Sequence, residues 1–170
     1  MHAAELLDAF DIGPSRTLQQ DVEFGVIQIV DIALRAISPA VNDPSTAISC
    51  IDQLSSILIR WLGRASPPSV LFYPSHAPRI AIPWVGLEGM LDTAFEQIRY
   101  YAATDLAVNL RLLRAMGDIA ATTQQREVHV SLRGRARLLV DRAAENMTEP
   151  DAARLHQRLA WLETRLTIQS

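Results

Sequence analysis

Seven polar residues in the first quarter of the chain have types and spacing that chemistry would need: Arg16, Asp21, Gln28, Asp31, Arg35, Asn42 and Asp43. Asp21, Asp31, Asn42 and Asp43 offer oxygen donors, which hard divalent cations prefer. Gathered at one point they would suit a metal-dependent hydrolase of phosphate esters. Arg16 and Arg35 would instead clamp a phosphate or carboxylate through paired N–H donors. No nucleophile–base pair completes a catalytic set in this stretch. A plainer reading needs no ligand. Asp31 and Arg35 stand at i,i+4 with the acid first, a helical ion pair worth ~0.2–0.5 kcal/mol. Asp21 suits the positive end of a helix. Asn42 and Asp43 suit a turn and a helix cap.

The rest of the composition removes whole classes of chemistry. All 16 basic residues are arginine. Without lysine there is no Walker-type phosphate loop, pyridoxal Schiff base or lysine general base. Seven scattered glycines form no Gly-rich loop. One cysteine, Cys50, excludes an internal disulfide and a cysteine-based zinc site. It lies on an apolar helical face and is expected in the core. His2, His76, His129 and His156 show no metal-type pairing and are expected to be solvated or singly hydrogen-bonded. No cofactor is implied. A net charge of −3 argues against nucleic acid as a partner.

The elements that must position these residues are helices. At 170 residues the chain is one domain with room for a substantial core. Thr17 and Gln20 fit a capping box opening a helix that runs to about Ser38. Pro39, Asn42, Asp43 and Pro44 then make a sharp break, with Asp43 as cap and Pro44 in the first turn. The next helix covers about 44–62 and ends at Gly63 as C′. Five of nine prolines crowd into 66–86, where two short runs, Val70–Tyr73 and Arg79–Ile82, read as a small β-hairpin or an ordered loop. Helical spacing returns at Leu87. Asp105 caps a further helix, another spans about 126–147, and Thr148 with Asp151 opens the last. The fold class is all-α, about six helices with a short Pro-rich insertion, in a single domain over 1–170.

The helix at 18–38 sets the question of the site. At ~100° per residue, Asp21, Phe24, Gln28, Asp31, Arg35 and Ser38 share a wedge roughly 100° wide. Nearly everything outside it is apolar, which predicts a central helix. Its polar wedge then either breaks the surface as a narrow strip or faces something polar inside. Ser45, Ser49, Asp52, Ser56 and Arg60 line one face of the following helix, so a polar seam between the two is one arrangement.

The run RTLQQDVEFGVIQIVDIALRAISPAVNDPSTAISCIDQL, residues 16–54, resembles the signature of a bacterial family of uncharacterised predicted membrane proteins, domain of unknown function 2254. The matching elements include Arg16-Thr17, Gln20-Asp21, Phe24-Gly25, Val30 to Ala36, Ser38-Pro39 and Asn42-Asp43-Pro44. A weaker match continues through Phe95 to Arg99, Tyr101-Ala102, Val108 and Leu112-Leu113. In that family the signature follows several transmembrane helices. This chain has no run of the ~18–20 apolar residues that spanning requires, and no signal-peptide pattern. The resemblance therefore implies the soluble C-terminal part of a larger membrane protein, with Met1 not its natural start. It implies no particular activity, cofactor or catalytic residue.

These readings lead to a non-enzymatic interaction or regulatory domain, self-associating, with an ion or small anion at a polar helix seam. The hydrolase is one alternative, and an accessory domain of a transporter or channel another. The expected partners are the membrane segment of the full-length protein and a second copy of the chain. An anionic lipid surface is a further one, through Arg126, Arg133, Arg135, Arg137 and Arg142, at ~1 kcal/mol for each basic residue. The lone cysteine and the arginine-rich helix place the domain on the cytoplasmic side of the cell membrane. Trp61, Phe72, Tyr73, Trp84, Tyr100 and Tyr101 bracket the Pro-rich segment and are expected to pack its core. Exposed together, they would mark a partner surface.

Overall fold

The computed structural model describes residues 21–65, 67–72 and 78–168. Over these residues the chain forms six helices and one hairpin, the all-α architecture expected. Caps explain where most helices begin. Helix α1 (Val22–Ala36) starts at Asp21, whose Oδ1 accepts from the Phe24 N–H at 3.0 Å. The expected capping box at Thr17 and Gln20 lies outside the described residues. Helix α2 (Pro44–Leu62) starts at Asp43 and has proline in its first turn, where a missing N–H costs nothing. It stops at Gly63, which is right-handed at φ −75° and so is the cap itself, not the left-handed C′ expected.

The Pro-rich segment is an antiparallel hairpin of β1 (Val70–Phe72) and β2 (Pro78–Ala81). Val70 pairs with Ala81 and Leu71 with Ile80, and the register shifts before Phe72 meets Pro78. Proline donates nothing to a ladder, so it is tolerated at that irregularity. Helix α3 (Leu87–Tyr101) follows, then α4 (Leu106–Ala120), α5 (Arg126–Ala144) and α6 (Glu149–Ile168). Asp105 caps α4 through the Val108 N–H at 3.0 Å.

The central helix is α4, not α1. Helix α4 packs on α2, α3, α5 and α6, whereas α1 packs on α2 and α3. Val108, Leu112, Leu113, Ala115, Met116, Ile119 and Ala120 of α4 are all buried. Its alanines and Gly117 let neighbours approach closely; a Cβ at Gly117 would stand 3.7 Å from Leu162 of α6. Helix α1 buries only Val26, Val30, Ala33 and Ala36 and leaves Ile32 49% exposed. Apolar content over most of its circumference did not make it central, because only one stripe of it faces the bundle.

Two further expectations change. Phe72, Trp84, Tyr100 and Tyr101 are exposed, so these aromatics do not form a core around the hairpin. Tyr73 lies outside the described residues. Cys50, as expected, is a core residue, and burial pushes its thiol up.

The difference between α4 and α1 is measurable. Leu112→Ala should cost about 2–5 kcal/mol in urea unfolding, the range for a buried leucine. Ile32→Ala should cost under about 1 kcal/mol, since much of that side chain already meets water. Equal losses would show that α1 is as central as α4.

Candidate functional site

The turn between α1 and α2 is held by its own backbone. Ile37 N–H donates to Ala33 O at 3.0 Å, and Ser38 Oγ donates to Arg35 O at 2.7 Å. Val41 and Asn42 N–H groups both return to Ser38 O, at 3.0 and 2.9 Å. The Asp43 N–H reaches Ala36 O at 2.8 Å. Asn42 has φ +49°, the only positive value at a non-glycine among the described residues. Asparagine tolerates that left-handed conformation better than most side chains. Asp43 then caps α2 twice over: Oδ1 accepts from Thr46 N–H at 3.1 Å and Oδ2 from Thr46 Oγ1 at 2.5 Å. The Thr46 hydroxyl, with help from the Thr46 amide, holds the Asp43 carboxyl below its ordinary value.

The turn from α3 to α4 repeats the scheme with different residues. Asp105 N–H donates to Ala102 O at 2.8 Å. The Asn109 amide, 0% exposed, donates to Ala102 O at 2.7 Å and to Asp105 O at 2.8 Å. Between the two turns lies a polar cleft of about 380 Å³. Ile37, Asn42 and Pro44 form one wall; Tyr101, Ala102 and Thr104 to Ala107 form the other. Tyr101 at its rim is 65% exposed and meets Tyr100 edge-to-face, with ring centres 5.2 Å apart. The cleft offers an amide, hydroxyls and aromatic surface. Those groups recognise a partner through hydrogen bonds and stacking; none of them pairs as nucleophile and base.

The six described residues of the seven singled out in the sequence do not meet in one place. Asp21 and Asp43 sit at opposite ends of α1. At ~1.5 Å per residue over 15 residues they are separated by roughly 20 Å, too far to share an ion. Gln28, Asp31 and Arg35 are exposed along the outer face of α1, so the polar wedge is a surface strip. Among the described residues no ion pair joins Asp31 to Arg35. Both border a wide, shallow depression with Leu34, Ser38 and Val41. Arg16 lies outside the described residues. The stripe on α2 does not form a seam with this strip: Ser49 and Ser56 bond carbonyls of their own helix, and Asp52 pairs with Arg111 of α4. Among the described residues no group of three His, Cys, Asp or Glu side chains could hold a metal.

Sequence reasoning missed the second wall of the cleft. Its signal was present, since the weaker stretch at Tyr101-Ala102 and the Asn42-Asp43-Pro44 turn are the two segments that face each other. His129, expected to be solvated or singly hydrogen-bonded, is 2% exposed and has its Nε2 against Ala120 O at 3.1 Å and Thr123 O at 2.9 Å. His156 is exposed, and His2 and His76 lie outside the described residues.

The profile of a family described as "Predicted membrane protein (DUF2254)" matches residues 1–118. An uncharacterized protein of Mycobacterium tuberculosis is 37% identical over 134 residues, which cover 79% of this chain and 26% of the relative. An uncharacterized protein of Mycobacterium bovis matches with the same identity and coverage. The chain thus spans about a quarter of the length of these relatives. No solved structure matches it significantly. No helix among the described residues is long and apolar enough to cross a membrane.

Three outcomes test this description. Asn42→Gly should keep or raise the melting temperature, while Asn42→Ala should lower stability by about 1 kcal/mol, because alanine resists the left-handed conformation. Asp31→Asn should change stability by less than about 0.5 kcal/mol, as for an exposed surface site. The Asp43 carboxyl has a depressed value in the folded chain. Its stabilising effect is therefore complete above the unfolded value of about 3.9 and fades as pH falls through the folded one. Thr46→Val should weaken that acid-side loss in thermal melts between pH 2 and 5; an unchanged profile would reject the assignment.

Proposed function

The chain belongs to the DUF2254 family of predicted membrane proteins, and from that premise we propose that it is a non-enzymatic interaction domain that docks on the rest of a longer membrane protein. One observation carries this reading. The polar residues of the 38–44 turn are spent on the turn and cap, while the surface they build is bordered by exposed side chains. Tyr101 is 65% exposed on one wall of the cleft, and Ile37 and Asn42 line the other. Tyrosine at the edge of a polar cleft is typical of interface anchors, since it carries a large apolar ring with a polar tip.

Length supports the choice of partner. About three quarters of the relatives' chain has no counterpart here. A domain that accompanies so much additional chain in a predicted membrane protein needs a surface to face it. The hydrolase alternative gains nothing from this geometry, because its four oxygen-bearing residues are spread along α1 and the turn.

The test is binding in trans. The chain is mixed with the membrane-embedded remainder of a mycobacterial relative, purified in detergent without its matching quarter. Wild type should bind, and Tyr101→Arg should weaken binding at least tenfold, about 1.4 kcal/mol, without lowering the melting temperature. Absence of binding, with concentration-dependent dimerisation that Tyr101→Arg removes, would reassign the surface to self-association. Neither binding nor dimerisation would reject an interface at this cleft.

A further inference from the structure

The five arginines counted on α5 are not equivalent. Arg135 is spoken for: Nη1 donates to Glu88 Oε2 and to Ser131 Oγ, both at 2.6 Å, and Nη2 to Asp92 Oδ1 at 2.6 Å. Arg137 Nε donates to Glu163 Oε1 at 2.5 Å. Arg142 lies over the Tyr100 ring, 5.3 Å from its centre. Of the five, Arg126 and Arg133 have no ion pair, hydrogen bond or ring contact among the described residues. They share one face of the first two turns of α5 with His129 and Val130, and these four residues line a depression of about 370 Å³. Helix α5 begins at Gln125, whose side chain makes no capping bond, so the positive end of the helix adds to the same field.

The histidine says what kind of anion fits. Both partners of Nε2 are carbonyl oxygens, which only accept, so Nε2 carries the proton. Nδ1 points the other way round the ring. It is buried without a partner, and so is Nε of Arg133 one helical turn on. Arg99 Nη1, Asn109 Oδ1 and Arg135 Nε are buried without a partner as well; what sets Nδ1 of His129 and Nε of Arg133 apart is that both belong to residues lining one depression. One acceptor, Nδ1, belongs to a residue that lines the same depression as two guanidinium groups. A carboxylate satisfies the donors but brings no proton for Nδ1. A phosphodiester fails in the same way. A singly protonated phosphate monoester supplies both: its charged oxygens accept from Arg126 and Arg133, and its P–OH donates to Nδ1.

We propose that Arg126, His129 and Arg133 form a binding site for a phosphate monoester group. Such a group has two sources with the same chemistry, a phosphorylated small molecule or a lipid with a terminal phosphate. Inorganic phosphate is the probe for the first, and phosphatidylcholine vesicles containing phosphatidate for the second. Vesicles with phosphatidylglycerol, a diester of the same charge sign, are the control.

Inorganic phosphate should bind in calorimetry and shift the His129 Nδ1 resonance in ¹⁵N spectra. Arg126→Gln and Arg133→Gln should each weaken binding about tenfold. Arg137→Gln, on the same helix but outside the depression, should leave it unchanged. His129→Gln removes a buried side chain that ties α5 to the end of α4, so the arginine variants carry the test if that variant fails to fold. Co-flotation with phosphatidate vesicles but not phosphatidylglycerol vesicles, lost in Arg133→Gln, supports the site and names a lipid source. Phosphate binding without flotation supports it and names a soluble one. Equal flotation with both lipids, insensitive to Arg133→Gln, would show only general attraction to negative surfaces and overturn the proposal. So would an unmoved His129 resonance at saturating phosphate.

Discussion

The turn that sets α2 against α1 is closed by a backbone hydrogen bond from the Asp43 N–H to Ala36 O. It closes the connection so tightly that the residues between have few options. Pro39 cannot continue a helix, and Asn42 must adopt a left-handed conformation to bring Asp43 back beneath the end of α1. Asp43 then caps the new helix in the position where Pro44 is harmless. Each residue of SPAVNDP that looked chemically suggestive has a conformational task. The turn lies within the run, residues 16–54, that carries the family resemblance. Few alternatives to asparagine, aspartate and proline satisfy a left-handed residue, a cap and a first-turn position in succession.

From that corner the rest of the bundle is laid out. Helix α2 is delivered onto α4, and α1 onto α3, so the two connections α1–α2 and α3–α4 come together at one end. Asp105 and Asn109 fasten the second connection as Asn42 and Asp43 fasten the first. The cleft is the space left between two turns that each satisfy their own backbone. The backbone of both turns and the Asp105 carboxylate are committed to the chain, which leaves the Asn42, Tyr101 and Thr104 side chains as the polar groups the cleft offers.

Much of the fold was legible because it depends on local rules. Asp43, Pro44 and Asp105 announce helix starts through capping chemistry, and the proline cluster with two short β-rich runs announces the hairpin. The site was not legible for a geometric reason. A helical wheel reports the angle of a side chain about the axis and says nothing of its height along it. Asp21, Asp31 and Arg35 share an angle, yet Asp21 and Arg35 are separated by almost the full length of α1. The arginines of α5 failed for another reason. Their partners Glu88, Asp92 and Glu163 come from helices far away in sequence, so no local spacing reveals which guanidinium is already neutralised.

The same distinction separates the two surfaces of functional interest. At the cleft, the turns satisfy their own backbone and leave an amide, hydroxyls and a tyrosine ring along the walls, which favours a partner that brings hydrogen bonds and stacking surface. On the first turns of α5 the balance is different: two guanidiniums lack counter-charges and one nitrogen of a buried imidazole, Nδ1, lacks a hydrogen bond. Burying an unpaired polar atom costs about 1–3 kcal/mol, a cost that a folded chain recovers only if something else benefits. Phosphate at that position would recover it by satisfying donor and acceptor together. The two surfaces are built from different parts of the bundle, the cleft by the turns around Asn42 and Ala102 and the depression by α5 alone. A variant that empties one should therefore leave the other intact, and docking and anion binding are separable by mutation.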